Sequence, residues 1–227
     1  MKRVVLCLVV LFAASPSFAD DPTGGISIDA SQVGAAHPHA AVTATRVEGR
    51  APRMPAVLAA SADPARRAEM EQSYAQLLSA YEQTLDKARV ARNDVAVAAA
   101  MYIAGAYGAY RGTQVSDAAF ASLVTQMRDV LAATAAFASA PMARKQDMYE
   151  GLAITGTLLA ASAQSRPGND AVRTAAKTYL ESFLHASAES IQITDRGMSV
   201  AGSSSRADAP APSPSEPGSV SVGVAAE

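Results

Sequence analysis

Glu150 is the residue whose type and position in the sequence best suit a role in chemistry. It follows Tyr149 and precedes an uncharged run, residues 151–165, so the pattern predicts that it lies at the edge of a buried core. A carboxyl group in such a place has a raised pKa and could act as a general acid or base. Gln146 lies one helical turn earlier and could hydrogen-bond to Glu150. A hydrolase that uses Glu150 is therefore one hypothesis, although the sequence offers no second catalytic group beside it.

A structural role for the same residues is the interpretation that the sequence favours. A carboxylate at the edge of a core can accept hydrogen bonds from other buried polar groups, and such a network fixes how helices pack together. We expect the network to comprise Asn93, Gln146, Tyr149 and Glu150, with Asn93 or Tyr102 as the partner of Glu150.

Aromatic residues cluster at the end of the run that precedes Arg111. Tyr102, Tyr107, Tyr110 and Arg111 could form a patch that stacks on a ligand or a glycan, and they are the candidate ligand-binding or partner-binding residues. The structural interpretation is favoured, because a chain without tryptophan uses tyrosine at the boundary of its core.

Histidine and cysteine offer little for metal binding or nucleophilic catalysis. His37 and His39 lie in a stretch rich in Gly and Pro, where two ligands without a scaffold bind a metal weakly, and His185 is the remaining histidine. The single cysteine, Cys7, lies near the N-terminus. The motifs of zinc proteases, serine hydrolases, P-loop proteins and dinucleotide-binding proteins do not occur. We predict a protein that is not an enzyme and has no metal and no cofactor.

The N-terminus has the pattern of a secretory signal peptide. Lys2 and Arg3 precede an apolar stretch, residues 4–14, and Ser17–Ala19 forms a cleavage site ahead of Asp20. A membrane anchor would need about 20 apolar residues, and a lipoprotein would need a better-placed cysteine than Cys7. We predict that residues 1–19 are removed and that the protein is exported, either to the periplasm or out of the cell.

The charge of the chain disfavours nucleic acid as a partner. Without Lys2 and Arg3, the 19 basic residues fall to 17 against 21 acidic ones, a net charge of −4. Such a balance lacks the basic surface that binds phosphate backbones. A protein or another envelope component is the expected partner.

One helical domain is expected between two flexible flanks. Residues 20–62 are predicted to be a linker, residues 63–198 a domain and residues 199–227 a disordered tail rich in Ala, Pro and Ser. The fold class is all-α, a single bundle of about five antiparallel helices. Capping residues and apolar periodicity predict where the helices begin: at Asp63–Pro64, Asn93–Asp94, Ser116–Asp117, after Pro141, and at Asn169. The third helix is expected to continue through Thr134 to Phe137, and Ile191–Thr194 is expected to be a short extended segment.

The uncharged run from Val95 to Tyr110 has two interpretations. With residues 151–165 it could form a membrane-inserting hairpin, or it could be a buried helix of the domain. Both runs are shorter than a membrane span and rich in Ala and Gly, which favours the core. Gly105, Gly108 and Gly156 are then expected where helices approach each other closely.

Several short motifs resemble an uncharacterised family of exported bacterial helical proteins, a domain of unknown function. They are Asn93-Asp94, Lys145-Gln146-x-x-Tyr149-Glu150, Ala153-x-x-Gly156 and the stretch from Ile191 to Gly197. The resemblance covers Met70 to Met198. It implies an all-helical fold and supplies no activity and no catalytic residue.

We therefore expect a non-enzymatic exported protein that acts by binding another macromolecule. The alternative is a carrier in which Tyr102, Tyr107 and Tyr149 line a cavity for a lipid or a small apolar ligand.

Overall fold

The computed structural model describes residues 43–45 and 49–201. The predicted signal peptide, His37, His39 and the predicted tail beyond residue 201 lie outside the described residues.

Seven α-helices and a two-stranded sheet make up the described part, so the expected fold class is confirmed as mostly helical. The helices are α1 (Met54–Ala59), α2 (Arg67–Ala88), α3 (Val95–Arg111), α4 (Asp117–Ala133), α5 (Ala135–Ala138), α6 (Met142–Ser165) and α7 (Asp170–Leu184), and a 3-10 turn (Pro64–Arg66) precedes α2. The strands are β1 (Ile191–Thr194) and β2 (Gly197–Val200).

Side-chain caps begin the helices where the sequence predicts them. A side-chain oxygen accepts a backbone N–H of the first turn at four of these starts, which satisfies a donor that the helix leaves free. The capping residues are Asp63, Asp94, Ser116 and Asn169. The helix α3 ends at Gly112, which adopts the left-handed conformation with φ of 69°.

The predicted linker over residues 20–62 is wrong at its C-terminal end. Residues 43–45 and 49–62, which we call the N-terminal strap, pack on the helical body and contain α1. Met54, Leu58 and Ala59 of α1 are buried on one face. Six residues are too few to show helical periodicity, and Pro55 suggests a break although it lies in the first turn, where its missing N–H costs nothing.

The third predicted helix is interrupted. Thr134 is extended, with ψ of 105°, and its hydroxyl donates a hydrogen bond to the carbonyl of Val130. The hydroxyl thereby competes with regular helical bonding. Phe137 still reaches the core, but from α5 and not from a continuous helix.

The crossing of α3 and α6 lies at the centre of the core. A Cβ atom on Gly105 would lie 2.4 Å from the carbonyl oxygen of Gly156, and one on Gly156 would lie 2.7 Å from Cα of Tyr102. These two glycines therefore allow the two backbones to touch. Gly108 lies at a different contact from the one expected, since a Cβ atom there would lie 2.8 Å from the carbonyl oxygen of Thr113 in the turn after α3.

The extended segment predicted at Ile191–Thr194 is part of a hairpin. β1 pairs with β2 in antiparallel register, with Ile193 opposite Met198. The side chain of Gln126 in α4 binds both the N–H and the carbonyl of Met198, at 2.7 and 3.1 Å, and so holds the outer edge of β2.

None of the described helices is both long enough and apolar enough to cross a membrane. The run from Val95 to Tyr110 forms α3, whose residues are mostly buried within the protein.

Candidate functional site

Glu150 fastens the N-terminal strap to α6. Its side chain is buried, with the residue 1% exposed. Oε2 accepts the backbone N–H groups of Arg53 at 2.8 Å and Met54 at 3.0 Å, while Oε1 accepts Nε2 of Gln146 at 3.0 Å. The residue at the N-cap of α1, Arg53, provides no cap of its own. The carboxylate of Glu150 therefore caps α1 from another helix, where the positive end of the helix dipole favours a negative charge.

Asp147 holds the strap by its side chains. One carboxylate oxygen lies 2.5 Å from Nη2 of Arg50, and the other lies 2.7 Å from Nη2 of Arg53. Arg50 also donates a hydrogen bond of 2.7 Å to the carbonyl of Ala143. The sequence did not single out Asp147, because its partners lie more than 90 residues away and both arginines fell in the predicted linker.

Asp94 makes the third attachment. Its carboxylate accepts the hydroxyl of Thr43 at 2.6 Å, the N–H of Ala96 at 2.9 Å and Nη2 of Arg128 at 2.8 Å. The N–H of Val95 donates to the carbonyl of Thr43 at 3.0 Å. One carboxylate thus caps α3, binds the strap and pairs with α4.

The four residues of the predicted polar network have different roles. Gln146 and Glu150 bond to each other directly. Asn93, in the left-handed conformation with φ of 59°, acts through its carbonyl, which accepts the N–H of Thr45 at 2.5 Å. The ring of Tyr149 packs against Tyr81 with 5.9 Å between the ring centres, and burial raises the pKa of the Tyr149 hydroxyl.

The expected partner of Glu150 was wrong. Neither Asn93 nor Tyr102 bonds to it, and the backbone of the strap takes that place. The hydroxyl of Tyr102 donates instead to the carbonyl of Tyr179 at 3.1 Å. The strap was missed as a source of donors because it was interpreted as a linker.

The tyrosine and arginine patch binds the segment between α7 and β1. Tyr102 is buried, whereas Tyr107 and Tyr110 are half-buried. The Arg111 guanidinium lies over both half-buried rings and donates to the carbonyls of Glu189 at 3.1 Å and Ile191 at 3.3 Å. Such cation–π contacts and hydrogen bonds hold the chain after α7 in place.

Glu189 in that segment is held by three neighbours. Lys177 and Ser187 contact its carboxylate, and the hydroxyl of Tyr110 donates to it at 3.1 Å. These hydrogen bonds, led by the one from Lys177, lower the pKa of Glu189 to about 2. The carboxylate is therefore ionised at all physiological pH values.

Both oxygens of Glu150 accept hydrogen bonds from donors within the chain. Within residues 43–45 and 49–201, no three His, Cys, Asp or Glu side chains are grouped so that they could hold a metal ion. His185 is exposed at the left-handed end of α7.

The fold and this site define a mostly helical protein whose buried acidic residues fasten an N-terminal segment to the body. The chain belongs to the family of unknown function DUF6683, whose pattern it matches over residues 23–201. That match confirms the resemblance to an uncharacterised family. No curated protein and no solved structure matches the chain.

Proposed function

We propose that this protein is a non-enzymatic exported protein that acts by binding another macromolecule. The observation that carries the proposal is the engagement of Glu150: the best candidate for a catalytic group is buried, with one oxygen bound to the backbone of the strap and the other to Gln146. We further propose that residues 1–19 are a cleaved signal peptide and that the helices form an antiparallel bundle. A molecule built in this way acts through its surface.

A corner of the surface formed by an uncharged stretch of the chain supports a binding role, and Lys145 at its edge donates to the carbonyl of Ala138. No charged residue occurs from Val130 to Ala143. Met142, at the first position of α6, is 45% exposed and is the large hydrophobic residue that stands out on the described surface. Ala133, Ala136 and Ala138 are exposed nearby in the sequence. Exposed apolar surface of this kind is often covered by a partner.

The test is cross-linking in the native host, followed by affinity capture of the tagged full-length protein and mass spectrometry. Met142→Glu places a charge in the corner. Ala118→Glu is the matched control, because Ala118 is an exposed residue at the N-terminal end of α4, whereas the corner includes Ala133 at the C-terminal end of that helix. A spacing of 15 residues between Ala118 and Ala133 along that helix corresponds to about 22 Å.

The proposal predicts one macromolecule that is enriched with wild-type protein and with Ala118→Glu, and reduced at least tenfold with Met142→Glu. A tenfold loss corresponds to about 1.4 kcal/mol of binding free energy. Capture of the same molecule by all three forms would exclude the corner as the binding surface. If the wild-type protein is captured from its native host without any cross-linked partner, that result would contradict the binding function.

A further inference from the structure

Three buried hydroxyl groups lie near the junction between the strap and the helices. They belong to Thr45 in the strap, Tyr81 in α2 and Tyr149 in α6, and these residues are 1%, 3% and 1% exposed. All three oxygens are closed to solvent, and none has a hydrogen-bond partner among the described protein groups. The hydroxyl oxygens of Thr157 and Ser162 in α6 also lack a partner, whereas the Tyr102 hydroxyl has one.

Asn93 lies close to two of the three groups, those of Thr45 and Tyr149. Its carbonyl accepts the N–H of Thr45 at 2.5 Å, which places the Thr45 side chain beside the start of α3. The Asn93 backbone also approaches the Tyr149 hydroxyl closely enough to counteract part of the rise in its pKa, although outside the geometry of a hydrogen bond. The ring of Tyr81 packs against the ring of Tyr149, 5.9 Å away.

The electrostatics agree with this proximity. Burial raises the pKa of both tyrosine hydroxyls, and Tyr149 raises that of Tyr81 further. Both hydroxyls therefore remain protonated and can donate as well as accept hydrogen bonds.

A buried hydroxyl without a partner destabilises the fold, whereas phenylalanine would fill the same space without that cost. Interior water commonly satisfies such groups, and it requires two to four polar partners. Two tyrosine hydroxyls and one threonine hydroxyl, from three elements, fall within that range.

We infer that the junction of strap, α2 and α6 is a binding site for ordered water, held by the hydroxyls of Tyr81 and Tyr149 with Thr45 as a third ligand. The water links the strap to both helices and adds to the attachments made by Glu150, Asp147 and Asp94. Because the three oxygens are closed to solvent, the expected ligand is one as small as water.

A crystal structure of the full chain at high resolution tests the site directly. The expected result is a density peak of the size of one or two water molecules, within hydrogen-bonding distance of the Tyr81 and Tyr149 hydroxyls. Direct bonding of these hydroxyls to protein groups, or density for an organic molecule, would overturn the inference.

A double-mutant cycle tests it in solution. Tyr81→Phe and Tyr149→Phe should each lower the melting temperature by about 1–6 °C, because each removes a hydrogen bond to water. Together they should lower it by less than the sum, since they share one ligand. Tyr102→Phe combined with Tyr149→Phe is the control cycle and should be additive, because the Tyr102 hydroxyl donates to the carbonyl of Tyr179. Single variants as stable as wild type, or an additive first cycle, would contradict shared water.

Discussion

Buried acidic residues in this protein serve as acceptors for the chain itself. The sequence shows that Gln146 and Glu150 are one helical turn apart, and their hydrogen bond forms as that spacing indicates. The other acceptor site of Glu150 is filled by backbone N–H groups 96 and 97 residues away, which no local pattern reveals. A carboxylate at the edge of a core thus gives the same sequence signal whether it caps a helix or moves a proton.

The depressed pKa of Glu189 is a testable property at the scale of one residue. In wild type, NMR titration of its carboxyl group should give a pKa of about 2. Lys177→Gln removes the largest cause and should raise the pKa toward its ordinary value of about 4.3. Lys87→Gln is the matched control, since Lys87 lies at the far end of α2 and is exposed.

The lowered pKa of Glu189 determines how the stability of the fold changes with pH. A carboxyl group with a lowered pKa in the folded state stabilises the fold above its unfolded pKa. That contribution is lost as the pH falls from about 4.3 toward about 2. A wild-type titration with an ordinary pKa would show that Lys177, Ser187 and Tyr110 do not hold Glu189 in solution.

At the scale of elements, the crossing of α3 and α6 depends on two small residues. Glycine inside a helix costs about 0.5–1 kcal/mol relative to alanine, so Gly156→Ala would be stabilising if space were available. A Cβ atom there would lie 2.7 Å from Cα of Tyr102, a backbone atom that cannot move independently. The two helices must instead separate.

Gly156→Ala should therefore lower the free energy of unfolding by about 1–3 kcal/mol, the usual cost of overpacking a core. Urea denaturation measures this change in the free energy of unfolding. Ala75→Ser, a change of one atom on the exposed face of α2, should stay within about 0.5 kcal/mol of wild type. A Gly156→Ala variant more stable than wild type would mean that the two backbones do not touch.

Helices with caps and long apolar faces were predictable from the sequence, and short elements were not. The starts of α3, α4 and α7, and of the 3-10 turn before α2, each have a capping side chain, which is a local signal. The helix α1 lacks one, because its cap is Glu150 in α6. The end of α4 at Thr134 also lacks a glycine or proline to mark it. These elements depend on tertiary contacts, which cannot be inferred from a short stretch of sequence.

At the scale of the whole molecule, the strap enlarges the folded unit beyond the predicted domain. Asp94, Asp147 and Glu150 bind it from α3 and α6, and α1 adds a buried apolar face. Two of the motifs that resemble the family's lie at these contacts: Asn93-Asp94 holds one end of the strap, and the stretch with Gln146 and Glu150 holds the other. Their common role in this chain is to join its N-terminal part to the helical body.

Hydrogen exchange of residues 50–59, measured by mass spectrometry in two Glu150 variants, tests that role most directly. Glu150→Gln keeps an oxygen that accepts the N–H groups of Arg53 and Met54, so it should exchange nearly as slowly as wild type. Glu150→Leu leaves those donors unpaired, at a cost of about 1–3 kcal/mol. Its residues 50–59 should exchange about 5- to 150-fold faster, while α3 remains protected. Wild-type protection of residues 50–59 in Glu150→Leu would contradict the assignment of Glu150 as the cap that fastens the strap.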